Sequence, residues 1–280
     1  MARSTDTILA RVKAALPHLH PSERRIAEVV LSFPGQLASY TGSELAQLSN
    51  VSNATVSRFV RRIGYGSYEE ARQAARAEQS AGAPLFRFGA GGAALDGAVA
   101  PHAEQSRANL DATFARLEEP AIDAIAEAAL AARRVHVIGF RAGQPMARYV
   151  AWQMSQVLPS VATLPRDGET VAESVTGLPE DDCVLVVALR RPPAILEPLL
   201  GLLAEGAAPV ALIGDLPELD RMPARWRISC VTNAPGPLLN HVSVMAVCNL
   251  LAARIIELSG AEGRRRIGAV EDAHLHLGEL

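Results

Sequence analysis

The sequence predicts two parts, an all-helical N-terminal domain and an α/β domain built on a parallel sheet. Three observations predict this. Residues 1–79 carry short helical patterns with no strand pattern between them. Residues 80–97, SAGAPLFRFGAGGAALDG, are too glycine-rich to sustain one helix, because an interior glycine costs about 1 kcal/mol relative to alanine. In the remainder, 98–280, apolar runs of strand length alternate with helical segments from Val135 onward. The 280 residues, 49% hydrophobic and 20% charged, can fill two cores and exclude a collagen-like or wholly disordered chain.

In the head, helical patterns span about Thr7 to Leu16, then run from a Ser22 cap to Phe33-Pro34-Gly35, and two more lie between Ser43 and Ile63. The stretch TGSELAQLSNVSNATVSRFVRRIG, residues 41–64, meets the steric demands of a helix-turn-helix. Ser43 and Ser52 are capping residues, Ala46 is small where helices cross, and Asn50 tolerates positive φ. Val56 and Phe59 are buried apolar groups, joined by Leu45, Leu48, Val51, Val60 and Ile63. Asn53, Thr55, Ser57, Arg58, Arg61 and Arg62 are left facing outward, a set of hydrogen-bonding and cationic groups suited to a DNA groove. An ordinary helical hairpin with a solvated arginine face is the alternative. On the DNA reading, Asn53, Thr55, Ser57 and Arg58 reach base edges, while Ser52, Arg61 and Arg62 meet phosphates. Ser22, Arg24 and Arg25 open an earlier helix whose N–H groups also favour a phosphate. Residues 1–80 hold ten Lys plus Arg against seven Asp plus Glu, and the rest 17 against 23, so a mildly basic head precedes an acidic body.

In the body, helices are expected over Leu95–Leu117 and Ala121–Arg133. VHVIG (135–139), VATL (161–164), CVLVVAL (183–189), PVALIGD (209–215) and ISCVT (228–232) then read as strands. Helices at Pro145–Val157, Ala194–Glu205 and Leu238–Leu258 cross between them. Ligands of such a sheet bind beyond the carboxyl ends of the strands, so the loops after Gly139, Leu164, Leu189 and Asp215 are the ones to inspect.

Residues 21–72 resemble the N-terminal domain of the RpiR/MurR family of bacterial transcription regulators. The likeness rests on SERRIA, LAQLSNVS, TVSRF and IGYGSYEE. It implies a second domain of sugar isomerase (SIS) type, a parallel α/β sandwich that senses phosphosugars. In that family, serine and threonine hydroxyls surround the phosphate in a loop after the first strand and an S-x-S-G-x-T loop after a later one. Here those places read Phe140-Arg141-Ala142-Gly143-Gln144 and Ala188-Leu189-Arg190-Arg191-Pro192-Pro193, without hydroxyls and, at the prolines, without N–H donors. Arg141, Arg190 and Arg191 offer guanidinium forks in their stead, and Gly139, Gly143, Gln144, Asp167, Gly168 and Thr170 complete the expected effector pocket. The alternative is that the arginines pair with Asp167, Glu169, Asp181 or Asp182, or face water.

The expected partners are a double-stranded DNA operator, a small anionic metabolite (a phosphosugar or sugar acid) and the chain itself as homodimer or tetramer. Self-association is expected because the helix at 237–258 carries more apolar surface than one sheet face covers. No cofactor, metal or enzyme activity is expected. GFRAGQ lacks dinucleotide-binding spacing, and His274 and His276, two apart on a helix, do not share a face. His241, at a helix start, reads as a structural or capping group. Cys183, Cys230 and Cys248 read as buried thiols. The longest apolar runs fall short of the roughly 20 residues of a membrane span, and no signal peptide opens the chain, so a cytoplasmic protein without membrane contact is expected. Two rivals remain, a phosphosugar isomerase with a helical appendage and a regulator whose body is a ligand-free dimerisation scaffold.

Overall fold

The computed structural model describes residues 7–32, 34–81 and 99–279. They fall into two compact units, one of the described residues up to Ala103 with Ala234–Leu239, the other of Glu104–Asn233 and the described residues from Asn240 on. Of the expected linker, Ser80 closes a helix and Ala81 caps it. Residues 82–97 lie outside the described residues, as do 95–98 of the helix expected from Leu95.

The first unit is helical: α1 Ile8–Ala15, α2 Pro21–Ser32, α3 Pro34–Ser39, α4 Gly42–Leu48, α5 Asn53–Arg62 and α6 Tyr68–Ser80. The patterns had not shown α3 or α6. Thr41, not Ser43, caps α4: its side chain accepts the Glu44 N–H while Glu44 reaches back to the Thr41 N–H at 2.6 Å, a capping box. That hydrogen bond from the Thr41 backbone is also the main reason the Glu44 carboxyl titrates below its ordinary value. Asn50 takes φ 49° in the turn, the role its position required. Leu45, Ala46, Val56, Phe59, Val60 and Ile63 are buried together and Val51 packs against them, but Leu48 is 51% exposed and leaves the apolar face it was expected to join.

In the second unit α7 (Val99–Phe114), from Glu104 on, and α8 (Glu119–Ala131) lead into five parallel strands. These are β1 Val135–Gly139, β2 Val161–Leu164, β3 Cys183–Ala188, β4 Val210–Gly214 and β5 Trp226–Ser229, in the order β2-β1-β3-β4-β5. The last strand begins two residues before the expected ISCVT run. Helices α9 (Gly143–Ser155) and α12 (Val242–Leu258), with α8, cover one face, where Val135, Val137, Leu185, Val187 and Ile213 are buried. The short α10 (Val171–Val175) and α11 (Leu196–Glu205) cover the other, over Ile138, Val184, Val186 and Leu212. Strands buried on both faces explain the continuous apolar runs. A final helix, α13 (Gly260–Leu277), leaves α12 at 106°. Helix α12 begins at Val242, and within the 237–258 stretch expected to carry surplus apolar surface Leu238 is 71% exposed and Ile256 and Leu258 37% each. Among the described residues no single helix is long and apolar enough to cross a membrane.

Candidate functional site

Each unit presents one candidate site. In the first, Ser52 opens α5 by accepting the Thr55 N–H at 3.3 Å, and Arg61 and Arg62 close it, where cations suit the negative end of the helix dipole. Thr55 is buried, four residues before Phe59 and on its stripe; its Oγ1 lies 3.0 Å from Ser52 Oγ and accepts from Arg58 Nη2 at 3.3 Å. Thr55 is thus part of the cap, not of the outward face. Asn53, Ser57, Arg58 and Arg61 are exposed. Asn53 Nδ2 donates to Ser43 Oγ at 3.3 Å, which sets Ser43, read from sequence only as a cap, beside the exposed amide.

Two arginines expected at phosphates, Arg62 and Arg25, also make contacts within the fold. Arg62 Nε lies 3.2 Å from Glu23 Oε2 on a side chain only 1% exposed, and its Nη1 donates to the His18 carbonyl at 2.9 Å. A carboxylate so buried requires its cation. Arg25 donates from Nε and Nη2 to the carbonyls of Ser49 and Asn50, at 3.3 and 3.2 Å, clasping the turn. Arg24 and Arg61 are exposed and have no side-chain hydrogen bond or ion pair among the described residues. Ser22 lies in the first turn of α2, which starts at Pro21 rather than from a Ser22 cap.

In the second unit the strand order reverses direction between β1 and β3, the position where α/β sheets open a ligand crevice at their carboxyl ends. The loop after β1 carries Arg141 at φ 54° and the loop after β3 carries Arg191 at φ 59°, both exposed. Left-handed backbone at a residue with a Cβ costs roughly 1–2 kcal/mol, and such strain gathers at binding sites. A Cβ on Gly139 would collide with the Gly143 backbone, and one on Gly143 with the Val187 carbonyl, so both glycines serve the close approach of the β1 loop and α9 to β3. Gln144 is exposed in the first turn of α9.

Arg190 differs from its neighbours. Its backbone N–H donates to Asp215 Oδ1 at 2.7 Å, its Nε lies 3.1 Å from Oδ2 and donates to the Asp215 carbonyl at 3.2 Å, and Thr232 Oγ1 also donates to Oδ2. Asp215 is 5% exposed. The partner expected among Asp167, Glu169, Asp181 and Asp182 is therefore Asp215, at the end of β4. Asp181 and Asp182 pair with Arg133, Asp182 also with His136, and Glu169 with Arg166. His241 adjoins this cluster. It makes no side-chain cap bond, its Nε2 is buried without a hydrogen-bond partner among the described residues, and burial lowers its pKa, with Arg190 adding to and Asp215 opposing the shift. Asp215, Thr232 and His241 were absent from the expected pocket, because they come from the ends of two strands and the start of a helix.

Asp167, Gly168 and Thr170 follow the edge strand β2, with β1 between them and the switch point. Thr170 caps α10, exchanging hydrogen bonds with Glu173, so its hydroxyl is engaged. Pro192 and Pro193 precede α11, which has no side-chain cap. A hollow of about 240 Å3 lined by Arg133, Ser160 and Gly263, among others, sits at the amino ends of β1 and β2, away from this crevice. The three cysteines are buried; burial pushes Cys183 up to about 11, Cys248 up to about 12 and Cys230 higher, which leaves no activated thiolate. No group of three or more His, Cys, Asp or Glu able to hold a metal occurs among the described residues.

Residues 6–82 match the model of the helix-turn-helix domain, rpiR family. The HTH-type transcriptional regulator HexR of Pseudomonas aeruginosa is 29% identical over 141 residues, half of this chain, and the chain spans half that relative's length. Two solved structures share the fold. The sugar isomerase domain of an RpiR transcription factor from Sphaerobacter thermophilus covers 61% of this chain and 96% of its own at 22% identity, TM-score 0.56. The Vibrio vulnificus NanR protein complexed with ManNAc-6P covers 97% of this chain and 99% of its own at 19% identity, TM-score 0.57. Residues 6–82 are thus similar to the rpiR-family helix-turn-helix domain, and the body shares the fold of the sugar isomerase domain.

Proposed function

We propose that this protein is a cytoplasmic, DNA-binding transcription regulator whose body binds a small anionic metabolite and pairs with a second copy. The observation that carries the DNA reading is the outward face of α5, where Asn53, Ser57, Arg58 and Arg61 are exposed over a buried Val56–Phe59–Val60 face. Asn53 and Arg58, near the helix start, read base edges; Arg61 and Arg24 hold phosphates. The strained Arg141 and Arg191 at the switch point support an anionic effector, a phosphosugar or sugar acid, bound by guanidinium forks where hydroxyls are missing. That NanR is described in complex with ManNAc-6P supports the phosphosugar class. Effector binding shifts the chain between states that differ in operator affinity. A second reading, a body that only holds copies together, is favoured by the locked Arg190 and by Pro192 and Pro193.

Selection of bound duplexes from a random pool, followed by anisotropy titration with phosphosugars and sugar acids, tests both. A selected sequence with affinity changed by a ligand is expected. No preference over random duplex overturns the DNA reading, and indifference to every ligand leaves the scaffold reading.

A further inference from the structure

Among the described residues nothing covers the outward side of α13. Gly263 is the buried residue of this helix, and Ile267, Val270 and His274 are half-buried on the same side. The opposite side exposes Arg264, Arg265, Gly268, Glu271, Asp272 and Leu275, the last 75% exposed. None of the four charged groups has an ion pair or side-chain hydrogen bond among the described residues, whereas Arg266, on the inner side, donates to the Ser155 carbonyl at 3.1 Å. Nothing among the described residues calls for glycine at 268. A Cβ there meets nothing within 4 Å and the backbone is not left-handed, yet glycine weakens a helix interior.

Charge order along the helix supplies the missing reason. Reflected through Gly268, Arg264 falls opposite Asp272, Arg265 opposite Glu271, and Ala261 opposite Leu275. These positions lie three, four and seven residues from the glycine, the spacing of a helix–helix seam. We propose that the partner on this face is a second copy of the chain, the two α13 helices packing antiparallel about a two-fold axis at Gly268. A symmetric interface must be self-complementary, and this face is. Each Leu275 then covers the other copy's Ala261 side, four ion pairs form, and glycine at the crossing lets the backbones approach.

The inference deepens the self-association proposed above, and charge reversal tests it apart from DNA binding. Sedimentation of the full chain is compared for wild type, Arg264→Glu/Arg265→Glu, Glu271→Arg/Asp272→Arg, and an equimolar mixture of the two variants. Each variant alone opposes like charges, and its dissociation constant for self-association is expected to rise at least about tenfold. In the mixture every charge meets its opposite again, so association returns. Gly268→Gln, which favours the helix itself, is expected to weaken association as well. Variants that keep the wild-type mass, or a mixture of folded variants that does not reassociate, overturn this interface alone. A monomeric wild type overturns it together with self-association, and the duplex selection still judges the DNA reading.

Discussion

Arg61 and Arg190 are the same side chain at the edges of two sites, and their surroundings part them. Arg61 stands on the outer face of α5, exposed and without a side-chain partner among the described residues. Arg190 follows β3 and is bound to Asp215 through both backbone and side chain, 25 residues away in sequence. A helix projects its charges by its own period, so the availability of Arg61 is a local property. A loop arginine is committed by whichever strand end lies next to it, and the sheet order decides that.

Breaking the locked side of this contrast has the largest expected effect. Asp215→Ala removes the buried carboxylate that Arg190 and Thr232 share, and the loss of one partner of such a pair costs about 3–5 kcal/mol. Arg61→Ala is expected to stay within about 0.5 kcal/mol of wild type. Urea unfolding of both variants measures the difference; equal stabilities would erase the distinction between a locked and an available arginine.

On the available side, the effect moves from stability to binding. Arg58→Ala and Asn53→Ala are each expected to cost about 1–3 kcal/mol on the selected duplex and to relax preference at one position. Arg61→Ala weakens binding to every duplex alike and lowers the salt slope by about one. Anisotropy at several salt concentrations, on selected and scrambled duplexes, separates the two behaviours. A smaller effect belongs to the cap that aims the helix: Ser52→Ala removes the acceptor of the Thr55 N–H and costs about 1 kcal/mol in urea unfolding.

The same division governs what was legible in the sequence. Strands β1 to β4 stood out because a parallel sheet covered on both faces demands continuous apolar runs, and VHVIG, VATL, CVLVVA and VALIG supply them. At the sheet edge β5 begins at Trp226 and Arg227, the latter exposed, so its start carries no such run. Helix α6 buries only Ala71 and Ala75, too little apolar contrast for a periodic pattern, and α3 has six residues. The turn residue Asn50, the cap Ser52 and the exposed Asn53, Ser57, Arg58 and Arg61 follow from local stereochemistry. Thr55 was readable too, four residues before Phe59, as was the Thr41–Glu44 capping box. Arg25, Arg62 and Arg190 were not, since the groups that hold them come from distant segments. Asp215, Thr232 and His241 stayed hidden for the same reason.

His241 gives the finest test of that hidden cluster. Burial lowers its pKa from the ordinary 6.5, so the folded chain favours the neutral ring while the unfolded chain binds a proton more readily as pH falls. The folded state is therefore undisturbed by His241 above pH 6.5 and loses stability as pH drops below that value toward the depressed one. Replacing the ring with a side chain that does not titrate, His241→Asn, is expected to flatten this part of the profile without changing its upper end. Urea unfolding at intervals between about pH 5 and 8 resolves the effect. A wild-type profile as flat as that of the variant would mean that the ring takes up its proton as readily beside Arg190 as it does in the unfolded chain.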